Sequence, residues 1–254
     1  MLLEGLNFAG KSTTATRLTA LLRARGTEVH SRHCYVCDTE GTQTLQLRAK
    51  SSIGGSTGRP FPDPDLLRPF NAMKSAQMLI DSELATDSVY TAGPEGPVLV
   101  PEGPVLVPEG PVLVPEGPVL VPEGPVLVPE GPVLVQDRHW FTQYCNNGFF
   151  NPGEGYLSDS WVLTCAPRFT VQVYLTCSPA ERERRAGRRD GDAHGLNAYL
   201  RANPKGLAAL DTFCIERIVD DPSWIVLATD DLSQDEIAAH LLGLFDARHN
   251  AVRG

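Results

Sequence analysis

The sequence contains no long apolar run. Nothing in it approaches the ~18 consecutive hydrophobic residues that a membrane-spanning helix requires, so no membrane partner is expected. It also lacks an excess of basic charge. Its 22 Lys and Arg stand against 31 Asp and Glu, a net charge of −9, whereas a non-specific nucleic-acid binder needs the opposite sign. Cysteine is sparse. Of the six, Cys34 and Cys37 make a C-x-x-C pair behind His33, but a structural zinc site normally wants a second close pair, and none exists. Cys177, at an expected strand end, and Cys214, in an expected helix, read as small core residues. Nor is there room for a signal peptide ahead of the first motif, which starts at Gly5; this points to the cytoplasm. What remains is 254 residues, 42% hydrophobic and 21% charged, the proportions of one soluble α/β domain.

The motif is Gly5-Leu6-Asn7-Phe8-Ala9-Gly10-Lys11-Ser12-Thr13, a complete G-x-x-x-x-G-K-S-T phosphate-binding loop. Its glycines let backbone N–H groups close around phosphate oxygens, and Lys11 supplies a point charge to the β- and γ-phosphates. The Ser12 hydroxyl suits a Mg²⁺ ligand, and the helix that follows turns its positive end to the anion. The context agrees. Met1–Glu4 can end a buried strand, Ala15, Leu18, Leu21 and Leu22 recur at helical spacing, and Gly26 offers a C-terminal cap. Four residues are few for a central strand, which leaves open a start upstream of Met1.

Residues 94–135 are six identical copies of Pro-Glu-Gly-Pro-Val-Leu-Val. Solenoid repeats run to at least ~20 residues with atypical ends, and two prolines per copy exclude a coiled-coil heptad. Expansion of a short DNA unit accounts for the identity. Only the last copy runs into Gln136-Asp137-Arg138, and an apolar run ending in an acid is how a buried parallel strand delivers a carboxylate to a phosphate-binding loop. That copy is expected to be the strand. The five before it, residues 94–128, become an insertion within a single domain spanning 1–254. They carry five Glu and no Lys or Arg, so without them the net charge falls from −9 to −4. A partner-recruiting role is the alternative, although no P-x-x-P unit here sits with basic residues.

Elsewhere, residues 27–36 read as a second strand and 38–65 as a long Gly/Ser/Thr/Pro-rich stretch suited to substrate loops. A helix is expected over 66–84, and an aromatic-rich segment with Asn-Asn-Gly and Asn-Pro-Gly turns over 140–156. Phe169–Leu175 alternates as a strand, and Ser178-Pro179-Ala180-Glu181 opens a helix with a capping box. Trp224–Ala228 reads as a final buried strand, and Ser233-Gln234-Asp235-Glu236 opens a last helix. The alternation predicts an α/β fold, a three-layer parallel sheet of about five strands with helices on both faces. The ligand then lies at the carboxyl ends of the strands. Beyond Glu181, five arginines fall in the eight residues 182–189. Mobile arginines over a triphosphate would supply positive charge and exclude water, as phosphoryl transfer requires; a solvated basic helix face is the simpler alternative.

At this point the chain resembles the thymidylate kinase and deoxynucleoside kinase group of P-loop kinases. Leu3-Glu4-Gly5 through Thr13 is similar to the thymidylate kinase opening E-G-x-D-G-A-G-K-S-T, and Asp137-Arg138-His139 to the group's D-R-[Y/H] signature. Leu175–Glu181 with the arginines behind it resembles the strand-to-lid segment. The resemblance implies ATP as donor, Mg²⁺ as cofactor and a nucleotide or nucleoside as small-molecule acceptor, and it allows a homodimer. By position, Gly5, Asn7, Phe8, Ala9, Gly10, Lys11, Ser12 and Thr13 would hold the triphosphate. Ser12 and Asp137 would hold the metal, Arg138 the acceptor, and Arg184, Arg185, Arg188 and Arg189 would belong to the lid. Thr229-Asp230 falls where the group's adenine-contacting loop lies. The acceptor side departs from the pattern. Where thymidylate kinases carry R-E-P-G-G this chain has Asp38-Thr39-Glu40-Gly41-Thr42, and Glu40 reads equally as an acceptor-binding carboxylate or a solvated loop acid. A serine and A-Y-Q give way to Thr142 and Cys145-Asn146-Asn147. A P-loop kinase of an unrelated metabolite and a non-catalytic ATP-binding regulatory module are the competing readings.

Overall fold

The computed structural model describes residues 1–33, 132–150, 168–188 and 204–253. Among them five strands form one sheet: β1 (Leu2–Glu4), β2 (Val29–His33), β3 (Val133–Asp137), β4 (Gln172–Thr176) and β5 (Trp224–Ala228). Their order is β2-β3-β1-β4-β5, and every neighbouring pair is parallel. The helices are α1 (Lys11–Ala24), α2 (Trp140–Phe150), α3 (Pro179–Arg188), α4 (Pro204–Glu216) and α5 (Gln234–Arg253). The expected α/β sandwich is what forms. None of the described helices is long and apolar enough to cross a membrane.

Strand geometry explains the three layers. Successive side chains of a strand point to opposite faces, so adjacent residues enter different cores. Leu3, Val173 and Leu175 meet Leu18 and Leu22 of α1 and Ile237, Leu241 and Phe245 of α5. Leu2 and Tyr174 instead meet Trp140 and Phe141 of α2 and Leu207, Leu210 and Cys214 of α4. Each fully buried Leu or Phe contributes about 1.5–3 kcal/mol of transfer free energy, so both faces are held. Three residues suffice for β1 because β3 and β4 flank it and all three of its side chains are buried.

Several local expectations shift. The second strand ends at His33, short of 36. The last heptapeptide copy supplies β3, as its link to Asp137 implies. β4 begins at Gln172 rather than Phe169, and four of its five residues are buried rather than alternating. β5 is not a fully buried strand: among the described residues only β4 pairs with it, and Val226 is 39% exposed. The largest change is α2, which forms where Asn-Asn-Gly suggested a turn. Tertiary packing overrides the local signal. Trp140, Phe141 and Cys145 share a buried face, and Gly148 lies against Phe213 of α4, whose Cζ would be 3.3 Å from an added Cβ. Cys145, Cys177 and Cys214 are free and buried. The C-x-x-C pair, Glu40, the substrate-loop stretch, the helix over 66–84, the insertion 94–128 and Arg189 lie outside the described residues.

The ends of the helices follow their sequence signals. Gly26 adopts φ 82° after α1, and its N–H bonds to the Arg23 carbonyl at 2.9 Å. At α5 the capping box is complete, with Ser233 and Glu236 each accepting the other's backbone N–H. At α3 it is half made. Ser178 Oγ accepts the Glu181 N–H, but Asp230 takes the Ser178 N–H, and the Glu181 carboxylate turns to Arg184 and Arg185.

Candidate functional site

The Gly5–Thr13 segment, expected from its motif to bind phosphate, joins β1 to α1 at the carboxyl end of the sheet. Gly5 sits at φ 135°, and a Cβ there would lie 2.2 Å from the Leu175 carbonyl oxygen, so only glycine lets the loop leave β1 beside β4. Gly10 caps α1 at φ 95°. Phe8 holds φ 66°, an unfavourable region for a bulky side chain and one that recurs at functional loops. Asn7 is half-buried, Ala9 is buried, and Thr13 is exposed on the first turn of α1. Lys11 is buried with its Nζ donating to the Leu6 carbonyl at 2.8 Å, folded into the loop. Burial, with the nearby Arg138 and Arg182 charges, lowers its pKa to about 7, while Asp137 and Glu4 act in the opposite direction.

Asp137 ends β3 and faces α1. Ser12 Oγ donates to its Oδ2 at 2.5 Å, and His33 Nδ1, at the end of β2, lies 2.8 Å from the same oxygen. Burial alone would raise the Asp137 pKa. The His33 hydrogen bond, the Lys11 charge and Ser12 outweigh it, and the carboxyl is held below its ordinary value. The other oxygen, Oδ1, is buried and has no hydrogen-bond partner among the described residues. Such an orphaned acceptor beside a serine hydroxyl fits a hard divalent cation. Among the described residues no cluster of three or more His, Cys, Asp or Glu could hold a metal, and Mg²⁺ typically needs only one or two carboxylates plus substrate phosphates.

Arg138 turns sharply after β3 at φ 68°, and its guanidinium donates to Asn7 Oδ1. Asn7 is gripped from the other side as well: Arg182 Nη1 on α3 donates to its carbonyl at 2.9 Å. Arg182 is itself buried and pairs with Asp211 of α4 at 2.9 Å, while Asp211 also accepts from Tyr174 at 2.7 Å and Thr176 at 2.6 Å. A chain of contacts thus runs from α4 through α3 and the loop to Arg138. Glu4, fully buried at the end of β1, accepts the His139 N–H at 2.8 Å and the Thr142 hydroxyl, placing a carboxylate at the N-terminus of α2.

The arginines of α3 divide by face. Arg185 reaches the loop: it pairs with Glu181, donates to the Thr229 side chain at 3.0 Å and carbonyl at 2.6 Å, and approaches the Phe8 carbonyl at 3.5 Å. Arg184 pairs with Glu181 and faces solvent, and Arg188 is exposed. These contacts hold the Glu181 carboxyl down at about pKa 2, the Arg184 hydrogen bond first among the causes. Thr229 also donates to the Thr176 carbonyl at 2.9 Å, tying the β5–α5 loop to β4. Between α3 and α4 a cavity of about 530 Å³ opens against Phe8, with Arg182, Ala186, Leu207, Ala208 and Ile215 among its walls.

Four residues of this arrangement were given no role in the site by the sequence: Glu4, His33, Arg182 and Asp211, although Glu4 opens the E-G motif and Arg182 belongs to the arginine run. Arg182 was within reach of periodicity. Arg182 and Ala186, four residues apart, form the buried face of α3, whereas Arg184 and Arg188 form the exposed one. The others depend on partners from elements distant in sequence: His33 on β3, Glu4 on α2 and the turn before it, and Asp211 on β4 and α3.

The sequence matches no protein-family model and no curated protein. The fold does match solved structures. A thymidylate kinase from Candida albicans aligns over 98% of this chain and 91% of its own, with a TM-score of 0.51 at 14% identity. A deoxyadenosine kinase from M. mycoides aligns over 97% and 98%, with a TM-score of 0.51 at 11% identity. The fold is therefore of the thymidylate and deoxynucleoside kinase type.

Proposed function

We propose that this chain is an ATP- and Mg²⁺-dependent phosphotransferase whose acceptor is a nucleotide or a nucleoside. The observation that carries the reading is the Asp137 carboxylate: one oxygen is held by Ser12 at 2.5 Å, and the other is buried without a partner at the edge of the phosphate-binding loop. Ser12 and Asp137 would hold Mg²⁺, which supplies charge neutralisation on the phosphoryl oxygens when bound. Lys11 and the loop N–H groups bind the phosphates. Arg138, steadied by Asn7, orients the acceptor. Arg185, bridging α3 to Thr229, would close one side of the site and bring charge to the migrating group, with Arg184 and Arg188 available from the outer face if α3 moves. The two kinase folds support the class of reaction and, through their acceptors, the class of substrate.

A coupled ADP-release screen with MgATP and a panel of nucleosides and nucleoside monophosphates is expected to give turnover with at least one acceptor. Bound ATP with no phosphorylated product across the panel would overturn the kinase reading in favour of a regulatory module.

The same reading makes residues 1–254 one domain with 94–128 as an insertion. Because β3 begins at Val133, five complete copies precede the one that reaches the sheet. Deleting 94–128 is expected to leave the melting temperature and ATP affinity unchanged, by thermal denaturation and titration calorimetry. An unfolded deletion protein would assign the repeat a structural role.

A further inference from the structure

His33 precedes the C-x-x-C pair but belongs to none of the phosphate-site motifs. It is the last residue of β2, which is at the sheet edge among the described residues, and is in direct parallel register with Asp137. Its side chain is 65% exposed while that of Asp137 is 3% exposed, so the pair spans the boundary between solvent and core. An ionised carboxylate only accepts hydrogen bonds, which requires His33 Nδ1 to carry the proton and donate. Both donors, His33 Nδ1 and Ser12 Oγ, fall on Oδ2, and Oδ1 receives none. A carboxylate free to rotate would share its donors between oxygens. Here the donor from β2 and the donor from α1 approach from different elements and fix its plane.

Resting on the phosphotransferase reading, we infer that His33 is a positioning residue: it clamps Asp137 by one oxygen and thereby presents the other to the divalent cation. The role is that of an outer partner to a metal-binding carboxylate, whose loss typically weakens metal affinity ~10–100-fold. A surface pair without this role contributes little and would leave metal binding unchanged.

The test uses the full-length protein with a non-hydrolysable ATP analogue and Mn²⁺ as the probe, read by electron paramagnetic resonance. His33→Ala is expected to weaken Mn²⁺ binding about tenfold, with the analogue's affinity in EDTA unchanged. His33→Asn places an amide N–H donor where Nδ1 was and is expected to restore most of the loss. The exposed position makes both variants fold normally, which thermal melting checks. Wild-type Mn²⁺ affinity in His33→Ala would overturn the inference. So would failure of His33→Asn to restore binding in a protein that melts like the wild type, since packing rather than hydrogen bonding would then be the cause. A wild-type protein that binds no Mn²⁺ with the analogue would overturn the phosphotransferase reading along with it.

Discussion

Lys11→Ala is expected to lower kcat/KM by about a thousandfold, or about 4 kcal/mol of transition-state stabilisation. In this structure Lys11 is buried, and its amino group bonds to the Leu6 carbonyl inside the loop. A lysine kept in so dry a position pays for desolvation unless an anion arrives, and its pKa of about 7 records that. Two consequences carry opposite signs. A bound triphosphate favours the charged amine, so binding above about pH 7 takes up a proton, and affinity falls by up to about tenfold per pH unit as pH rises. Folding of the free protein behaves in reverse. The unfolded chain, with an ordinary value of 10.5, binds the extra proton between about pH 7 and 10.5, so the Lys11 contribution to stability rises across that window. Calorimetry in buffers of different ionisation enthalpy measures the proton directly. Absence of uptake at pH 8, or near-full turnover by Lys11→Ala, would remove Lys11 from the phosphate site.

The second large effect is expected from a residue far from any motif. Asp211→Ala should destabilise the fold by about 3–5 kcal/mol, because it strands the buried Arg182 charge and leaves the Tyr174 and Thr176 hydroxyls without their acceptor. At about 2–4 °C per kcal/mol for a chain of this size, the melting temperature should drop by roughly 10 °C. Activity should fall as well, even well below the melting point, since Arg182 also holds the Asn7 carbonyl and Asn7 steadies Arg138. Replacing Arg182 and Asp211 together with leucines should recover much of the stability, because no unpaired charge remains, but not the activity. A melting temperature within about 2 °C of wild type for Asp211→Ala would show that this network is not holding α3 to α4.

These two predictions differ in what could be foreseen. Lys11, Ser12 and the glycines lie within one short segment, Gly5 to Ser12, and their spacing encodes the geometry: φ 135° at Gly5 and φ 95° at Gly10 are conformations that glycine alone adopts without strain. Asp137 was legible too, since only the last repeat copy is continuous with an acid. The α3 arginines were legible as a cluster but not by face. Arg182 turns inward to Asp211, whereas Arg184 and Arg188 turn outward, and the run itself does not say which face α4 will cover. The Asn-Asn-Gly turn signal at 146–148 failed because Phe213, 65 residues later, packs on Gly148 and rewards a helix there.

The sequence by itself determined the glycine-bounded loop between β1 and α1, the parallel α/β order and the strand that carries Asp137, because each is written in neighbouring residues through backbone permissiveness and hydrophobic period. The tertiary structure alone decided which polar groups converge. Glu4 on Thr142, Arg182 on Asp211 and His33 on Asp137 are contacts between elements 29 to 138 residues apart. Hydrogen bonds between distant elements depend on sheet register and helix face, which local periodicity leaves unpaired until the core closes.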